Sequence, residues 1–293
     1  MRISFGHQYD VYRSDLMKTQ ERYFDAQRQV ATGKRIFALS DDPFGAASAL
    51  SMRQVRGASE QYAENALSAK AFLSFSEGTL AEMSTILKRV NELAVSGANG
   101  STSQVGRAAM AAEITEIQKR LVDLANSKGP GEQYLFAGQA TDTKPFEAAA
   151  GVLTYAGDNN DLTGEISANE TMAFNTHLGT LMPTVYGQLE SLKTNLQGGN
   201  LSAISGIDIG NVQAAIRSVD QLRGNIGTRI QTADQAMNHH ERRMDDLTSR
   251  ISEIEDADMS EAILQYKSAE TAYQAALQTV SMGSQLSLMD FMR

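Results

Sequence analysis

The sequence has no cysteine and no tryptophan, and only 4 of its 293 residues are proline. Because the chain has no thiol, disulfides, thiolate metal sites and cysteine nucleophiles are excluded. Aromatic residues make up only 6% of the chain, which is low for the core of a globular enzyme of this size. Scarce proline together with abundant Ala, Gln, Glu, Leu and Ser is typical of long helices, because most of these residues lose little side-chain freedom in a helix.

Long apolar runs and concentrated positive charge are missing as well. No stretch approaches the roughly 18 apolar residues that a membrane span needs, so we expect no membrane insertion. Residues 1–10 lack the apolar run of a secretory signal peptide, and we expect any export to use another route. The net charge of −9, from 26 basic and 35 acidic side chains, argues against nucleic acid as a partner, since phosphate neutralisation needs a basic surface.

The clearest positive pattern is an apolar stripe with steps of three and four residues at each end of the chain. Such stripes put one narrow apolar face along a helix, and a lone helix with so narrow a face is marginal in water. We therefore predict that the two ends pair with each other or with neighbouring subunits. The predicted assembly interface consists of Phe5, Tyr9, Tyr12, Leu16, Tyr23 and Val30 at the front and of Met259, Ala262, Tyr266, Ala269, Tyr273, Ala276 and Val280 at the back.

Longer amphipathic patterns fill most of the remaining sequence. Apolar spacing predicts one continuous helix over 212–254 and another from Pro43, capped by Asp42, to about Gly97. A third helix is predicted around 110–124. From about 133 to 178 the helical spacing disappears. Segment 151–160 reads as a short strand followed by a turn, and 165–167 and 172–174 are candidate strands.

These patterns predict a mainly α fold, a long helical rod or coiled-coil hairpin formed by the N- and C-terminal halves, with a small β-rich insert in the middle. We divide the chain into a terminal coiled-coil assembly domain (1–42 and 256–293), a helical rod domain (43–132 and 180–255) and a small β-rich outer domain (133–179).

Two passages at opposite ends carry a family resemblance. The segment ATGKRIFALSDDPFGAA (31–47) resembles a stretch near the amino terminus of flagellins and hook-associated proteins, and IEDADMSEA (254–262) is similar to the start of their last helix. The chain departs from the usual pattern at Phe44 and Gly45, where a small aliphatic residue is more common after the proline. The motif residues carried over from the first passage are Gly33, Lys34, Arg35, Ser40, Asp41, Asp42 and Pro43.

A third passage narrows the resemblance. Residues 134–146, YLFAGQATDTKPF, are similar to a passage typical of the family members that join the flagellar hook to the filament. The residues of this motif are Tyr134, Leu135, Phe136, Ala137 and Gly138. The resemblance implies a secreted structural subunit of the bacterial flagellum, exported unfolded through the type III apparatus and assembled extracellularly at the hook–filament junction through its terminal helices.

The same resemblance implies the partners. These are copies of the chain itself, hook-associated protein 1 on the hook side, flagellin on the filament side, and an export chaperone with the flagellar type III apparatus. Filament flagellin remains an alternative, since it shares both ends of the chain. A non-flagellar coiled-coil scaffold or signalling protein is a second alternative, which would have a fully helical tip in place of the β insert.

We predict no enzymatic activity, no cofactor and no metal site. His239, His240 and Glu241 do not make a metal site, because adjacent residues on a helix point about 100° apart. The pairs Asp41–Asp42 and Asp256–Asp258 are interpreted as helix caps at chain bends. No histidine base, nucleophile or phosphate-binding loop accompanies them in the sequence.

Overall fold

Helices account for most of the chain. The computed structural model describes the backbone of residues 5–291 and the side chains of residues 10–282. In chain order the helices are α1 (Phe5–Thr32), α2 (Pro43–Ala98), α3 (Gln104–Ala125), α4 (Leu181–Gly198), the short α5 (Leu201–Ala203), α6 (Ile209–Glu255) and α7 (Met259–Phe291). The mainly α fold predicted from the sequence is confirmed, and the long helices predicted over 43–97 and 212–254 are α2 and α6.

The start of α2 shows why the helix begins at Pro43. The Oδ1 atom of Asp42 accepts a hydrogen bond from the Gly45 N–H at 2.9 Å, which satisfies one of the unpaired donors of the first turn. Proline at the first helical position loses no hydrogen bond, because the N–H that it lacks would have been unpaired anyway.

The β-rich insert between α3 and α4 consists of two separate antiparallel hairpins. Strand β1 (Phe146–Ala149) pairs with β2 (Val152–Tyr155), and β3 (Thr163–Ser167) pairs with β4 (Glu170–Ala173). The predicted strands correspond to β2, β3 and β4. Strand β1 escaped prediction because after Phe146 it contains only Glu and Ala, which are depleted in strands and show no apolar alternation.

The residue contacts divide the chain into two compact units. The first contains residues 1–57 and 244–293, and the second contains residues 58–243. Helices α2 and α6 contribute residues to both. The domain boundaries at 42/43, 132/133, 179/180 and 255/256 remain predictions.

The second unit has a continuous apolar core built from one face of each long helix. Side chains that are almost completely buried come from α2, α3, α4 and α6, at the three- and four-residue steps that the sequence pattern predicts. Examples are Leu73, Leu80 and Leu87 on α2, Ile114 and Leu121 on α3, Leu189 and Leu196 on α4, and Val212, Val219 and Ile226 on α6. Phe146 of β1 and Ile166 of β3 join the same core, so the hairpins are anchored to the helices.

A π-helical segment, Ile204–Asp208, joins α5 to α6. The carboxylate of Asp208 is buried there and accepts a hydrogen bond from Asn195 Nδ2 at 2.7 Å. The extra residue per turn of a π-helix turns this polar side chain toward α4. Apolar spacing could not reveal this irregularity, because it depends on a tertiary hydrogen bond.

Candidate assembly site

The predicted stripes at the two ends of the chain face each other. Helices α1 and α7 pack together in the first unit. On α1 the stripe side chains Tyr12, Leu16, Tyr23 and Val30 are half-buried, and Ala26 between them is buried. The stripe on α7 consists of buried Ala262, half-buried Tyr266, Ala269, Tyr273, Ala276 and Val280, and Met259, which is 43% exposed. The side chains of Phe5 and Tyr9 lie outside the described residues.

Three tyrosines form the centre of this helix pair. The ring of Tyr23 stacks on that of Tyr273, with centroids 5.5 Å apart and planes 10° apart. The hydroxyl oxygens of Tyr23 and Tyr266 are 3.4 Å apart, so that either can donate a hydrogen bond to the other. This hydrogen bond, together with partial burial, raises the pKa of Tyr23 above its ordinary value. The phenol of Tyr23 therefore stays protonated at physiological pH and brings no charge into the helix pair.

The outward faces of the same two helices carry large apolar side chains that the stripes do not include. On α1, Met17 and Phe24 are 55% and 53% exposed, and on α7, Leu264 and Met282 are 72% and 67% exposed. Sequence reasoning missed them because these residues do not follow the three- and four-residue steps of the stripes. In the first unit, the helix pair thus has one face that is used within the chain, and further apolar side chains around the rest of the pair are exposed to solvent. We call these exposed residues together the outer apolar face; they are Val11, Met17, Phe24, Ile263, Leu264, Leu277 and Met282.

The first family motif, residues 33–43, shapes the bend after α1. Gly33 adopts a left-handed conformation with φ +70°, which favours glycine and ends the helix. Its carbonyl oxygen accepts a hydrogen bond from the Ala257 N–H at 2.9 Å, and the Arg35 N–H donates to the Glu255 carbonyl at 2.6 Å. These two bonds form a short antiparallel bridge between residues 34 and 256, which ties the bend after α1 to the bend before α7.

A buried carboxylate stabilises this bridge. The side chain of Glu255 is only 6% exposed, and its Oε2 accepts hydrogen bonds from Lys34 Nζ at 2.8 Å and Arg53 Nη2 at 2.5 Å. Arg35 also bonds to this bend, through Nη2 to the Ile254 carbonyl at 2.8 Å. Lys34 and Arg35, the two cations of the motif, therefore both bind the C-terminal end of α6. The sequence pattern alone did not single out Glu255, because a glutamate at the end of a helix is usually solvated.

The acidic residues of both bends cap turns and helices. Asp41 Oδ2 accepts hydrogen bonds from the N–H groups of Phe37 and Ala38 at 2.9 Å each, and these bonds lower the pKa of its carboxyl group. Asp258 Oδ1 accepts from the Ser260 N–H at 2.8 Å at the start of α7. Asp256 pairs with the hydroxyl of Ser252. The capping interpretation agrees with the structure for Asp42 and Asp258, whereas Asp41 stabilises the turn before α2 and does not cap a helix.

The second family motif, Tyr134–Gly138, lies in the second unit and is largely buried. Leu135, Phe136 and Ala137 have at most 1% of their surface exposed. The hydroxyl of Tyr155 donates to the carbonyls of Phe136 at 3.2 Å and Asp158 at 2.5 Å, so this segment holds the end of the first hairpin. The motif therefore builds the insert rather than an exposed contact surface.

A substitution at Gly138 tests the close packing of this motif against Asp158. Its φ is +74°, and a Cβ at this position would overlap the side-chain and carbonyl oxygens of Asp158. We expect Gly138→Ala to lower the free energy of unfolding by about 3 kcal/mol, from left-handed strain and overpacking together. Urea unfolding followed by circular dichroism measures this change.

Gly131→Ala is the matched control, because Gly131 has nearly the same φ of +72° but none of the described atoms within 4 Å of an added Cβ. It should cost only the left-handed strain, about 1 kcal/mol. Equal losses at the two glycines would contradict the close approach to Asp158.

The histidines that might suggest a metal lie in an ordinary packing environment. His240 is buried, with Nε2 2.8 Å from the Ile166 carbonyl and its ring 5.4 Å from that of Tyr62. Its neighbour His239 is exposed. Within the described residues, no three side chains of His, Cys, Asp or Glu are grouped so that they could hold a metal ion. No helix in the same part of the chain is long and apolar enough to cross a membrane.

Comparison with known proteins identifies the class of this helix pair and its motifs. The model of the bacterial flagellin N-terminal helical region matches residues 5–141, and that of the C-terminal helical region matches residues 209–292. The chain belongs to the bacterial flagellin family, whose members are structural proteins of the flagellum. The family resemblance recognised in the sequence is thereby confirmed.

Within this family, the chain is similar to flagellar hook-associated protein 3 of Salmonella typhimurium, with 27% identity over 305 residues that cover 95% of this chain and 96% of that protein. It is also 30% identical to the flagellar filament core protein flaB2 of Brachyspira hyodysenteriae over 260 residues, covering 85% and 84% of the two chains. The flagellar junction protein FlgL from Legionella pneumophila shares the fold, with a TM-score of 0.61 at 15% identity over 71% of this chain and 100% of that chain.

Proposed function

We propose that the chain is a structural subunit of the bacterial flagellum that joins the hook to the filament. It is exported through the flagellar type III apparatus with the help of a chaperone, and it assembles outside the cell at the hook–filament junction. Its partners are copies of itself, hook-associated protein 1 on the hook side and flagellin on the filament side. It acts by helix packing and catalyses no reaction.

The outer apolar face of the terminal helix pair carries this proposal. A subunit of a closed ring or tube must bury surface against copies on its sides and against other subunits above and below it. The paired stripes are already used within the chain, so the exposed residues on α1 and α7, such as Phe24 and Leu264, supply the contacts between subunits. Burying such surface stabilises an assembly by roughly 25 cal/mol per Å² of apolar area.

Coupled folding and assembly is compatible with export. The helix pair of α1 and α7 buries only narrow stripes with alanine at Ala262, Ala269 and Ala276, so its stability in an isolated subunit is small. Packing of the outer apolar face against neighbours then adds stability by mass action. The chain can therefore pass through a narrow export channel unfolded, form the weak helix pair once outside the cell, and gain further stability where neighbours are present.

Similarity over nearly the whole length to a hook-associated protein 3 favours the junction over the filament. The passage at Tyr134–Phe146, which forms the buried base of the first hairpin, points to the same members of the family. Filament flagellin is the candidate to be tested against, because a filament core protein is similar over a somewhat shorter part of the chain.

Purified chain added to isolated hooks that already carry hook-associated protein 1 tests the proposal. We expect it to bind the hook end in a limited number of copies, to form no long filament alone, and to be required for later growth of flagellin. Electron microscopy and sedimentation measure all three results. Long filaments grown from the purified chain alone would identify it as filament flagellin, and failure to bind hooks would overturn the junction role.

A pair of variants ties this function to the outer apolar face. Leu264→Glu should prevent addition to hooks while leaving helicity unchanged, since Leu264 is 72% exposed and a buried unpaired charge is costly at an interface. Leu264→Met, which keeps this exposed position apolar and nearly unchanged in volume, is the matched control and should still add to hooks.

A further inference from the structure

The tyrosines of the terminal helix pair have a geometry that packing alone does not require. Phenylalanine would fill the same space, yet Tyr23 and Tyr266 bring their hydroxyl oxygens to 3.4 Å across the two helices. Their ring centroids are 5.6 Å apart, with an angle of 30° between the planes. We propose that Tyr23 and Tyr266 form an oxidative cross-linking site, where a one-electron oxidant of the haem-peroxidase class joins the two ends of the chain through a dityrosine bond.

The chemistry is balanced by hydrogen peroxide as the terminal electron acceptor. Each phenol loses one electron and one proton, which leaves two phenoxyl radicals whose unpaired electrons are shared between the oxygen and the two Cε carbons beside it. The two Cε atoms form a carbon–carbon bond, and the hydrogens on them move to the phenolic oxygens as the rings regain aromaticity. The peroxide accepts the two electrons and two protons and becomes two molecules of water.

The contact geometry favours coupling between these two residues. The reactive Cε carbons flank the carbon that carries the hydroxyl, so they lie at the ends of the rings that meet. Tyr273 stacks face to face on Tyr23 at 5.5 Å, which brings ring faces together instead of hydroxyl ends. All three rings are half-buried, so the oxidant can take electrons from their exposed edges while the helices hold the rings in place.

The site would give the chain a covalent closure that it otherwise lacks. The sequence has no cysteine, so a disulfide between the termini is impossible. Tyr23 and Tyr266 are separated by 243 positions, and a bond between them would remove much of the freedom of the unfolded chain, as a disulfide across a long loop does. The cross-link would keep α1 and α7 paired without any neighbouring subunit.

The full-length chain can be oxidised with horseradish peroxidase and hydrogen peroxide, under native conditions and in denaturant. Dityrosine fluorescence, a mass decrease of two hydrogen atoms in the monomer, and peptide mapping measure the product. We expect an intramolecular link between the peptides containing Tyr23 and Tyr266 under native conditions, and its loss in denaturant. The cross-linked monomer should also unfold at a higher denaturant concentration.

Three variants test whether the cross-link joins Tyr23 to Tyr266. Tyr23→Phe and Tyr266→Phe should each abolish the link while leaving the helicity of the chain unchanged, whereas Tyr273→Phe should preserve it. A product that joins Tyr23 mainly to Tyr273, a link of equal yield in denaturant, links only between different chains, or no link at all would each overturn the proposal. Because the test uses soluble chain, its failure leaves the junction role intact, and failure to bind hooks would not affect it.

Discussion

Removal of residues 264–293 is expected to abolish about twice as much helix as the deleted segment itself contains. The deletion removes α7 from residue 264 to its end at Phe291, and α1, which has 28 residues, loses the surface against which it packs. An isolated helix of this length with so narrow an apolar face is marginal in water, so α1 should unfold as well. Far-UV circular dichroism of the truncated and full-length chains measures the difference.

The second unit should be unaffected by this deletion. Its core lies between Ala66 and Ala233 and includes none of the described side chains of α1 or α7. The cooperative thermal transition of that unit should keep its midpoint, while binding to hooks is lost. If the truncated chain keeps the helicity of α1, the pairing of the two ends is not what orders α1, and the proposed coupling between folding and assembly would be wrong.

Variants of the full-length chain test whether α1 loses helicity because its contacts with α7 are lost or because the chain is shorter. The double change Tyr266→Ala and Tyr273→Ala removes the rings that contact Tyr23 and should also cause α1 to lose helicity. Changing the exposed residues Ser268 and Gln274 to alanine on the same helix should leave α1 intact, since neither belongs to the stripe.

The second large effect is expected at the bridge between the two bends. Replacing both Lys34 and Arg53 by methionine leaves the buried carboxylate of Glu255 without a cation. Removing the partners of a buried charge typically costs about 3–5 kcal/mol. The reverse change, Glu255→Gln, leaves two cations that are 42% and 47% exposed and can be hydrated, so it should cost only about 1 kcal/mol.

Hydrogen exchange gives a local readout of this asymmetry. The amides of Arg35 and Ala257 make the two bonds of the bridge, so their protection should fall sharply in the double methionine variant and only slightly in Glu255→Gln. Adding Glu255→Gln to the double variant should restore part of the protection. Arg250→Met, which breaks an exposed pair with Asp246, is the control and should change little. Equal losses from both directions would contradict the burial of Glu255.

The helices and their partners were largely predictable from the sequence, because apolar periodicity is a local signal. Residues three and four positions apart share a helix face whatever the rest of the chain does, and the stripes through Tyr23 and Tyr266 followed from this rule alone. The caps at Asp42 and Asp258 were predictable for the same reason, since a cap acts on the backbone two or three residues away.

Other parts of the site depended on residues that are far apart in the sequence. Glu255 looked like a solvated helix end until the fold brought Lys34 and Arg53 to it from about 200 positions away. Strand β1 has no alternation of its own and exists because β2 pairs with it and Phe146 is buried in the core. The π-helical turn at Asp208 likewise depends on Asn195 in a different helix.

The terminal helices show most directly which properties follow from the sequence and which follow from the tertiary structure. The sequence by itself determined that both ends are helical, that each has one apolar stripe, and that the stripes need a partner, because these properties follow from local spacing and composition. Only the tertiary structure decided that the stripes meet within one chain and that the outer apolar face, with Phe24 and Leu264, stays exposed. Which apolar residues are covered depends on the free energy of the whole packing arrangement, and a pattern of spacings does not contain that information.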